Sequence, residues 1–237
     1  GFRQVIGTAG WLMPGHGAHT PATPLAVAFH APWDDSSSAS LTRHINDLDW
    51  LVPAWVSVTG PDHRFTVFRD ARGRAIINPA QHRPKLLPMV QNAIDGEWDG
   101  PDMAKLLADP AARKRLIDGV EQFLALNHAN GVTFDFEDLP ASAHRDYLRF
   151  LGEARARFAP HGWLIAIAVP VGNPEWDLKA YARLADKLFL MAYDEHYPGG
   201  EPGPIASQRW FVQMVSRALR EIPADKAIAA IGSYSYD

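Results

Sequence analysis

Short apolar runs, each bounded by proline, glycine or aspartate, recur along the whole chain. Runs of this length are typical of strands that are buried on both faces of a parallel sheet. They occupy residues 25–30, 51–58, 85–92, 132–139, 164–171, 187–193 and 227–234. The pattern therefore predicts seven parallel strands.

Segments with helical periodicity separate several of these runs. In residues 111–128, 143–158 and 208–222, apolar residues recur every three or four positions and form one apolar stripe per segment. Alternating strands and helices indicate an α/β fold in which helices cover a parallel sheet, and in a barrel of this kind every strand ends on the same face. Residues 65–77, with an Arg-Gly pair in their middle, predict a small hairpin inserted after the second strand.

Composition and charge narrow the class of protein. The chain has 237 residues, of which 47% are apolar, and this is enough for one large domain. Its formal net charge is −4 with acidic and basic residues interspersed, which gives no footprint for nucleic acid or for an anionic membrane surface. The longest apolar run, residues 163–171, is far shorter than the ~20 residues of a membrane helix. The chain has no cysteine, which excludes disulfides and thiolate metal sites.

Two carboxylates stand two residues apart at the end of the fourth predicted strand. Residues 130–140 read Asn-Gly-Val-Thr-Phe-Asp-Phe-Glu-Asp-Leu-Pro. Because residues i and i+2 of a strand share a face, Asp135 and Glu137 point the same way while Phe134 and Phe136 pack on the other face. A desolvated carboxylate that faces another one has a raised pKa, and a general acid requires this. We therefore expect a catalytic strand; the alternative is a pair of solvated or ion-paired carboxylates at the rim of the sheet.

This strand resembles the signature of glycoside hydrolase family 18, the chitinase-like enzymes. In that family Asp-Gly-x-Asp-x-Asp-x-Glu ends the fourth strand of a (β/α)8 barrel. Asp135 and Glu137 match the two acidic residues that carry the chemistry, whereas Asn130 and Thr133 replace the first two acidic residues. A second segment, residues 191–194, reads Met-Ala-Tyr-Asp and is similar to the family's sixth-strand Met-x-Tyr-Asp, whose tyrosine and aspartate hold the substrate's acetamido group.

The resemblance implies a (β/α)8 TIM barrel and a retaining glycoside hydrolase that acts on β-linked N-acetylhexosamine polysaccharide by substrate-assisted catalysis. In such a mechanism Glu137 protonates the glycosidic oxygen and Asp135 stabilises the oxazolinium charge. Tyr193 then hydrogen-bonds to the acetamido carbonyl, and Asp194 binds the same group. The alternative is a catalytically weak or inactive polysaccharide-binding domain, because two upstream acidic positions differ from the signature.

Residues that follow other strands are further candidates for sugar binding. The predicted substrate-binding residues are Trp33, Gln91, Asn92, Trp98, Trp176, Asp194 and Glu195. Aromatic faces are platforms for sugar rings, and amides and carboxylates bind hydroxyl and acetamido groups. Two alternatives stay open. Trp33 either forms the floor of the sugar site or fills the inside of the barrel. Gln91 and Asn92 either bind sugar hydroxyls or cap loops.

Metal binding is the weaker interpretation of residues 194–196. Asp194 and His196 would share a face of a strand, but a third ligand with suitable spacing is not evident. His16 and His19 are weaker candidates still, because they lie in a segment rich in glycine and proline. We therefore predict no metal and no cofactor.

The resemblance extends to a bacterial subgroup in which this domain is fused to polysaccharide deacetylase and membrane glycosyltransferase domains. It is carried by residues 33–37, 48–53, 136–140 and 193–204. It implies an extracytoplasmic location, periplasmic or at the cell surface, with tethering to the membrane through a fused domain.

The resemblance also fixes the expected extent of the domain. We expect a flexible N-terminal segment, residues 1–23, and a barrel domain, residues 24–237, that lacks its last strand and helix and continues in the natural polypeptide. An open sheet of this kind leaves the edges of its first and seventh strands unpaired unless residues 2–22 fold back over them. The glycine and proline content of that segment makes a long covering strand unfavourable.

Overall fold

The structure, a computed structural model, describes residues 6–8, 25–191 and 208–230. Its strands are β1 (Ile6–Thr8), β2 (Ala26–His30), β3 (Trp50–Pro53), β4 (Val56–Thr59), β5 (Arg64–Val67), β6 (Lys85–Leu86), β7 (Met89–Gln91), β8 (Ala93–Ile94), β9 (Glu97–Trp98), β10 (Gly131–Asp135), β11 (Leu164–Pro170), β12 (Lys187–Met191) and β13 (Ala227–Ala230). Its α-helices are α1 (Asp35–His44), α2 (Ala71–Ile77), α3 (Gly100–Ala108), α4 (Pro110–Leu126), α5 (His144–Phe158), α6 (Leu178–Leu184) and α7 (Gln208–Glu221).

Each of the seven predicted runs contains strand, and these strands are parallel and neighbour one another in chain order. β10 lies between β7 and β11, and β12 and β13 follow β11. β2 pairs with β3, and β3 pairs with β6. Two of the runs are interrupted, so that β3 and β4 form one run and β6 and β7 form another. Among the described residues, strand pairing does not close these strands into a complete barrel.

The short strand β1 covers part of the edge of the first parallel strand. It runs antiparallel to β2, with Ile6 opposite Ala28 and Thr8 opposite Ala26. Its backbone also lies beside β13. A strand of only three residues therefore covers part of this edge, and the described residues of the N-terminal segment form no long strand.

The predicted hairpin over residues 65–77 is wrong. β5 pairs antiparallel with β4 around a turn at residues 60–63. Gly60 (φ 80°) and His63 (φ 54°) adopt left-handed backbone conformations in this turn. The residues that follow form α2, whose first turn is capped because the Gly73 N–H donates to Asp70 Oδ1 at 2.8 Å. Gly73 thus lies in a helix and not at a hairpin turn.

The predicted helices over residues 111–128, 143–158 and 208–222 are confirmed as α4, α5 and α7, with slightly different ends. Four further helices, α1, α2, α3 and α6, were not predicted. The main core lies between the helices and the sheet. A smaller apolar cluster comes from the opposite faces of the strands and includes Phe29, Val52, Met89 and Phe189.

Alternate side chains of β10 point to opposite faces of the sheet, as predicted. Phe134 and Phe136 face α5, with ring centroids 5.0 Å and 6.0 Å from the Phe150 ring. Thr133 and Asp135 are also buried, at 0% and 2% exposure. Because neighbouring residues of a strand point to opposite faces, these two side chains lie on the face away from α5. The polar side chains of β10 therefore lie on the face of the sheet opposite the helix.

Candidate active site

Asp135 is the last residue of β10 and lies beside the neighbouring strand β7. Parallel register places it opposite Gln91, and the Gln91 Nε2 group donates to Asp135 Oδ2 at 3.2 Å. Gln91 therefore fixes one oxygen of the carboxylate. The Asp135 carboxylate is nearly closed off from solvent, in an environment where electrostatic interactions are stronger than in water.

Glu137 follows two residues later and is held through its backbone by Asn92. The Glu137 N–H donates to Asn92 Oδ1 at 2.9 Å, and Asn92 Nδ2 donates to the Glu137 carbonyl oxygen at 2.8 Å. Asn92 Nδ2 also donates to the Asp99 carbonyl oxygen at 3.2 Å, and the Asn92 residue is completely buried. Of the two roles left open for Asn92, this geometry favours the structural one, because the amide is occupied by backbone groups.

The loop after Glu137 packs closely against the first turn of α3. Asp138 adopts a left-handed backbone conformation with φ of 55°. Its carbonyl oxygen approaches Gly100 so closely that a Cβ atom on Gly100 would lie 1.8 Å from it. Any residue larger than glycine at this helix start would displace the loop that carries Glu137.

Two adjoining cavities open at the carboxyl ends of the parallel strands. The smaller is lined by Asp135 and Gln91 and by Trp98 of β9. The larger, about 660 Å³, is lined by Glu137 and Trp176. Met191, at the end of β12, lines both. The structure therefore brings five of the predicted site residues to these cavities. Asp135, Gln91 and Trp98 line the smaller one, and Glu137 and Trp176 line the larger one.

The two tryptophans that line these cavities differ in their surroundings. Trp98 lies in a short hairpin of β8 and β9, whose turn at Asp95 and Gly96 has left-handed backbone conformations. Trp176 is 7% exposed, and its ring centroid lies 4.7 Å from that of His144 and 5.0 Å from that of Tyr181. Trp176 therefore offers the cavity only a small part of a ring that is otherwise packed in an aromatic cluster.

Trp33 lies at the surface, beyond the end of β2. Its side chain packs edge-on against Phe68, with ring centroids 5.6 Å apart, and both residues are about two fifths exposed, at 39% and 40%. This exposure is incompatible with a plug inside the barrel. Trp33 is not among the described residues that line either cavity, so the structure does not bring it to Asp135 or Glu137.

A buried polar network that was not predicted lies next to the smaller cavity. His30, which lines that cavity, contacts Ser37 Oγ through Nδ1 at 3.0 Å and Asp70 Oδ2 through Nε2 at 2.9 Å. The Trp55 indole N–H donates to the same Asp70 oxygen at 2.9 Å. Burial by itself raises the pKa of Asp70, but hydrogen bonds from His30, Trp55 and the Gly73 N–H outweigh it and lower the pKa to about 2. Asp70 is therefore an ionised carboxylate that orients His30.

Several predicted residues lie outside the described part of the chain. These are Tyr193, Asp194 and Glu195, together with the weak metal candidates His16, His19 and His196. Within residues 6–8, 25–191 and 208–230, no group of three or more histidine or acidic residues is arranged to hold a metal ion. The same residues include no helix of sufficient length and hydrophobicity to span a membrane.

The sequence matches a known protein family. The sequence matches the model of Glycosyl hydrolases family 18 over residues 27–236. Bacillus subtilis YdhD, whose name describes a sporulation-specific glycosylase, is 29% identical over 170 residues, which are 69% of this chain and 40% of that protein. The cortical fragment-lytic enzyme of Bacillus subtilis is 28% identical over 141 residues, which are 56% of this chain and 33% of that protein. The match thus spans less than half the length of either relative.

A solved structure has the same fold. The class V chitinase of Pseudomonas fluorescens superposes with a TM-score of 0.77 over 85% of this chain and 66% of that chain, at 18% identity. At this level of identity the likeness concerns the fold alone. The fold is that of the chitinase-like α/β proteins.

Proposed function

The chain belongs to family 18 of the glycosyl hydrolases, and we propose that it is a retaining glycosidase that cleaves β-linked N-acetylhexosamine chains by substrate-assisted catalysis. The observation that carries this proposal is the arrangement of Asp135 and Glu137, which line adjoining cavities with Met191 between them. A carboxylic acid that protonates the leaving oxygen and a second carboxylate near the reacting ring are the groups that glycoside hydrolysis needs.

Glu137 is the general acid and base in this mechanism. It donates its proton to the glycosidic oxygen while the carbonyl oxygen of the substrate's 2-acetamido group attacks the anomeric carbon. The product of this step is an oxazolinium ion, whose positive charge is stabilised by the carboxylate of Asp135. Glu137 then takes a proton from a water molecule that attacks the anomeric carbon. The second inversion restores the original anomeric configuration.

The cavities suggest how the substrate lies. The sugar that reacts occupies the smaller cavity, with its acetamido group near Asp135, and the leaving sugar occupies the larger cavity beside Glu137. Gln91 holds Asp135 in position, and Trp98 and Trp176 provide apolar walls for the two sugars. Tyr193 and Asp194 hold the acetamido group, and Glu195 contacts the sugar nearby.

The substrate class follows from the acetamido group that the mechanism requires. Chitin and the glycan strand of peptidoglycan both carry β-linked N-acetylglucosamine. The relatives include a chitinase and an enzyme named for cortical fragments, so both polymers are candidates. We propose that N-acetylglucosamine is the sugar that enters the smaller cavity.

The sequence resemblance supports further proposals about domain organisation and location. On the sequence resemblance alone, we propose that residues 24–237 belong to a (β/α)8 barrel domain. The same resemblance supports fusion to polysaccharide deacetylase and glycosyltransferase domains and an extracytoplasmic location. Mass determination of the natural protein and cell fractionation test both points.

A polysaccharide-binding domain without activity is the second candidate. The observation that favours it is the replacement of two signature acids by Asn130 and Thr133. In such a domain N-acetylglucosamine oligomers would bind but not turn over. Retention of both Asp135 and Glu137 supports the enzyme over the binding domain.

The test is hydrolysis of labelled N-acetylglucosamine oligomers and of purified peptidoglycan glycan strands. Nuclear magnetic resonance of the first product resolves its anomeric form before mutarotation. The proposal expects cleavage of at least one of the two substrates, with the β-anomer formed first. Binding without cleavage would support the second candidate, and an α-anomer as the first product would contradict retention.

A further inference from the structure

A basic cavity lies at the opposite end of the strands from Asp135 and Glu137. It has a volume of about 380 Å³ and is lined by Arg74, Arg83, Lys85 and His128. Lys85 begins β6 and Asn130 directly precedes β10, whereas Asp135 ends β10. With a rise of about 3.3 Å per residue, the strand separates this cavity from Glu137 by roughly 20 Å. The cavity is therefore distinct from the candidate active site.

The charge of this cavity is unbalanced within the described part of the chain. No aspartate or glutamate is among its lining residues. None of the salt bridges among residues 25–191 and 208–230 includes Arg74, Arg83 or Lys85. The whole chain has a net charge of −4, whereas this cavity is lined by three cationic residues and no acidic one. Like charges that line one cavity with no acidic residue among them repel one another, and an anion would relieve that repulsion.

Two of the cations are held in place by neighbouring groups. The guanidinium carbon of Arg74 lies 4.2 Å from the ring centroid of Trp55, in a cation–π arrangement. Arg83 Nη2 donates to Asn78 Oδ1 at 3.2 Å. Each of these contacts uses part of one guanidinium group and leaves other N–H donors for a ligand. A cationic site that is already ordered loses less entropy on binding.

Helix ends account for only part of this charge. Arg74 lies in the last turn of α2, where a cation complements the partial negative charge of the helix carboxyl end. Arg83 and Lys85 lie outside α-helices, and this effect does not explain their position. The wall of the cavity also includes the apolar residues Leu86 and Leu126, the second of which is 72% exposed.

We propose that this cavity binds the phosphate group of a phosphorylated ligand. Guanidinium groups match the geometry of phosphate oxygens, and a doubly charged phosphate neutralises more of the three cations than a single carboxylate does. The apolar residues beside the cations accept the organic part of a phosphate ester. The ester is either a soluble one, such as a sugar or polyol phosphate, or the headgroup of a lipid.

Isothermal titration calorimetry with glycerol 1-phosphate tests the soluble source, and sedimentation with vesicles of phosphatidic acid in phosphatidylcholine tests the lipid source. The double variant Arg83→Gln, Lys85→Gln removes two charges from the cavity. The double variant Lys179→Gln, Arg183→Gln removes two charges from exposed positions on α6 and is the matched control. Arg74 is left in place because it packs on Trp55. Urea unfolding checks that each variant is folded.

The proposal expects binding in at least one of the two assays, a loss of about tenfold or more in affinity in the double variant, and no change in the control. Binding to glycerol phosphate identifies a soluble ester, and binding to vesicles alone identifies a lipid headgroup. Hydrolysis of N-acetylglucosamine oligomers stays unchanged in the double variant. Absence of binding in both assays, equal weakening in the control, or displacement of phosphate by glucuronate at equal concentration would overturn the proposal.

Discussion

Asn92 and Glu137 are joined by two hydrogen bonds, one to each polar group of the Glu137 backbone. The Glu137 N–H donates to Asn92 Oδ1 at 2.9 Å, and Asn92 Nδ2 donates to the Glu137 carbonyl oxygen at 2.8 Å. Because Asn92 is completely buried, this pair of bonds is shielded from water. The backbone of Glu137 is thereby fixed, and its side chain starts from a defined position beside the larger cavity.

Replacement of Asn92 should therefore reduce turnover without removing the general acid. Asn92→Asp keeps the acceptor for the Glu137 N–H but replaces the donor with an oxygen that faces the Glu137 carbonyl oxygen. We expect kcat to fall by about tenfold or more while KM changes little, because a misplaced acid affects the transition state more than ground-state binding. Steady-state kinetics on N-acetylglucosamine oligomers measures this split. Asn46→Asp, an equivalent change at an exposed position, is the control, and an unchanged kcat in a folded Asn92→Asp protein would refute the positioning role.

Gly100 and Gly152 provide a matched pair of glycine-to-alanine substitutions. A Cβ on Gly100 would lie 1.8 Å from the Asp138 carbonyl oxygen, whereas a Cβ on Gly152, inside α5, would meet no atom within 4 Å. We expect Gly100→Ala to destabilise the protein by about 1–3 kcal/mol through overpacking. Gly152→Ala should stabilise it by about 0.5–1 kcal/mol, because alanine has the higher helix propensity. Urea unfolding at pH 7 compares the two, and equal stabilities would contradict the close approach of α3 to the loop at Asp138.

The depressed pKa of Asp70 makes its contribution to stability depend on pH. A carboxyl group whose pKa is lower in the folded state stabilises that state above its unfolded pKa of about 3.9, and the contribution is lost as pH falls toward the folded value. With a folded pKa of about 2, the difference corresponds to roughly 2 kcal/mol. We therefore expect the stability gap between wild type and Asp70→Asn to narrow by about this amount from pH 5 to pH 2. Urea unfolding across this range measures the gap, and a gap that stays constant would show that the Asp70 carboxyl is not stabilised in its ionised form.

The proposed mechanism makes the acetamido group part of the reaction. A fully deacetylated glucosamine oligomer lacks the nucleophile and should not be cleaved, whereas a thiazoline that mimics the oxazolinium intermediate should inhibit competitively. Cleavage rates of acetylated and deacetylated oligomers of equal length give the comparison. Equal rates on both would argue for an enzymic nucleophile instead.

The parallel strands and the long helices could be predicted from the sequence because their periodicity is local. The four missed helices are shorter, but each begins with an aspartate that accepts a hydrogen bond from a backbone N–H in its first turn. These caps are Asp34 for α1, Asp70 for α2, Asp99 for α3 and Asp177 for α6. Such capping aspartates are sequence signals for a helix start, and the one at Asp70 favours a helix over a hairpin within residues 65–77.

Only the part of the candidate site that lies on or next to one strand could be predicted from the sequence. Asp135 and Glu137 are separated by one residue, and strand alternation relates them directly. Asn92 is 45 residues from Glu137, and Asp70 is 40 residues from His30, so no local pattern joins either pair. The fold alone brings them together.

The residues that replace the two signature acids make structural contacts. Thr133 Oγ1 donates to the Leu87 carbonyl oxygen at 3.3 Å, and Asn130 Oδ1 accepts from the Leu86 N–H at 2.9 Å. Both side chains tie β10 to the neighbouring run of β6 and β7. Among the described residues, Gln91 on the adjacent strand donates a hydrogen bond to the Asp135 carboxylate. A sequence motif read along one strand does not reveal this cross-strand partner.

The role of Glu137 as the proton donor is tested most directly by the rate at which the Glu137→Gln variant hydrolyses a labelled N-acetylglucosamine oligomer. Glutamine keeps the shape of the side chain and removes only the proton that is transferred. We expect kcat/KM to fall by roughly 10²- to 10⁴-fold, while oligomer binding and the urea unfolding midpoint stay at their wild-type values. A folded Glu137→Gln protein that binds the oligomer and hydrolyses it within a few-fold of the wild-type rate would contradict the assignment.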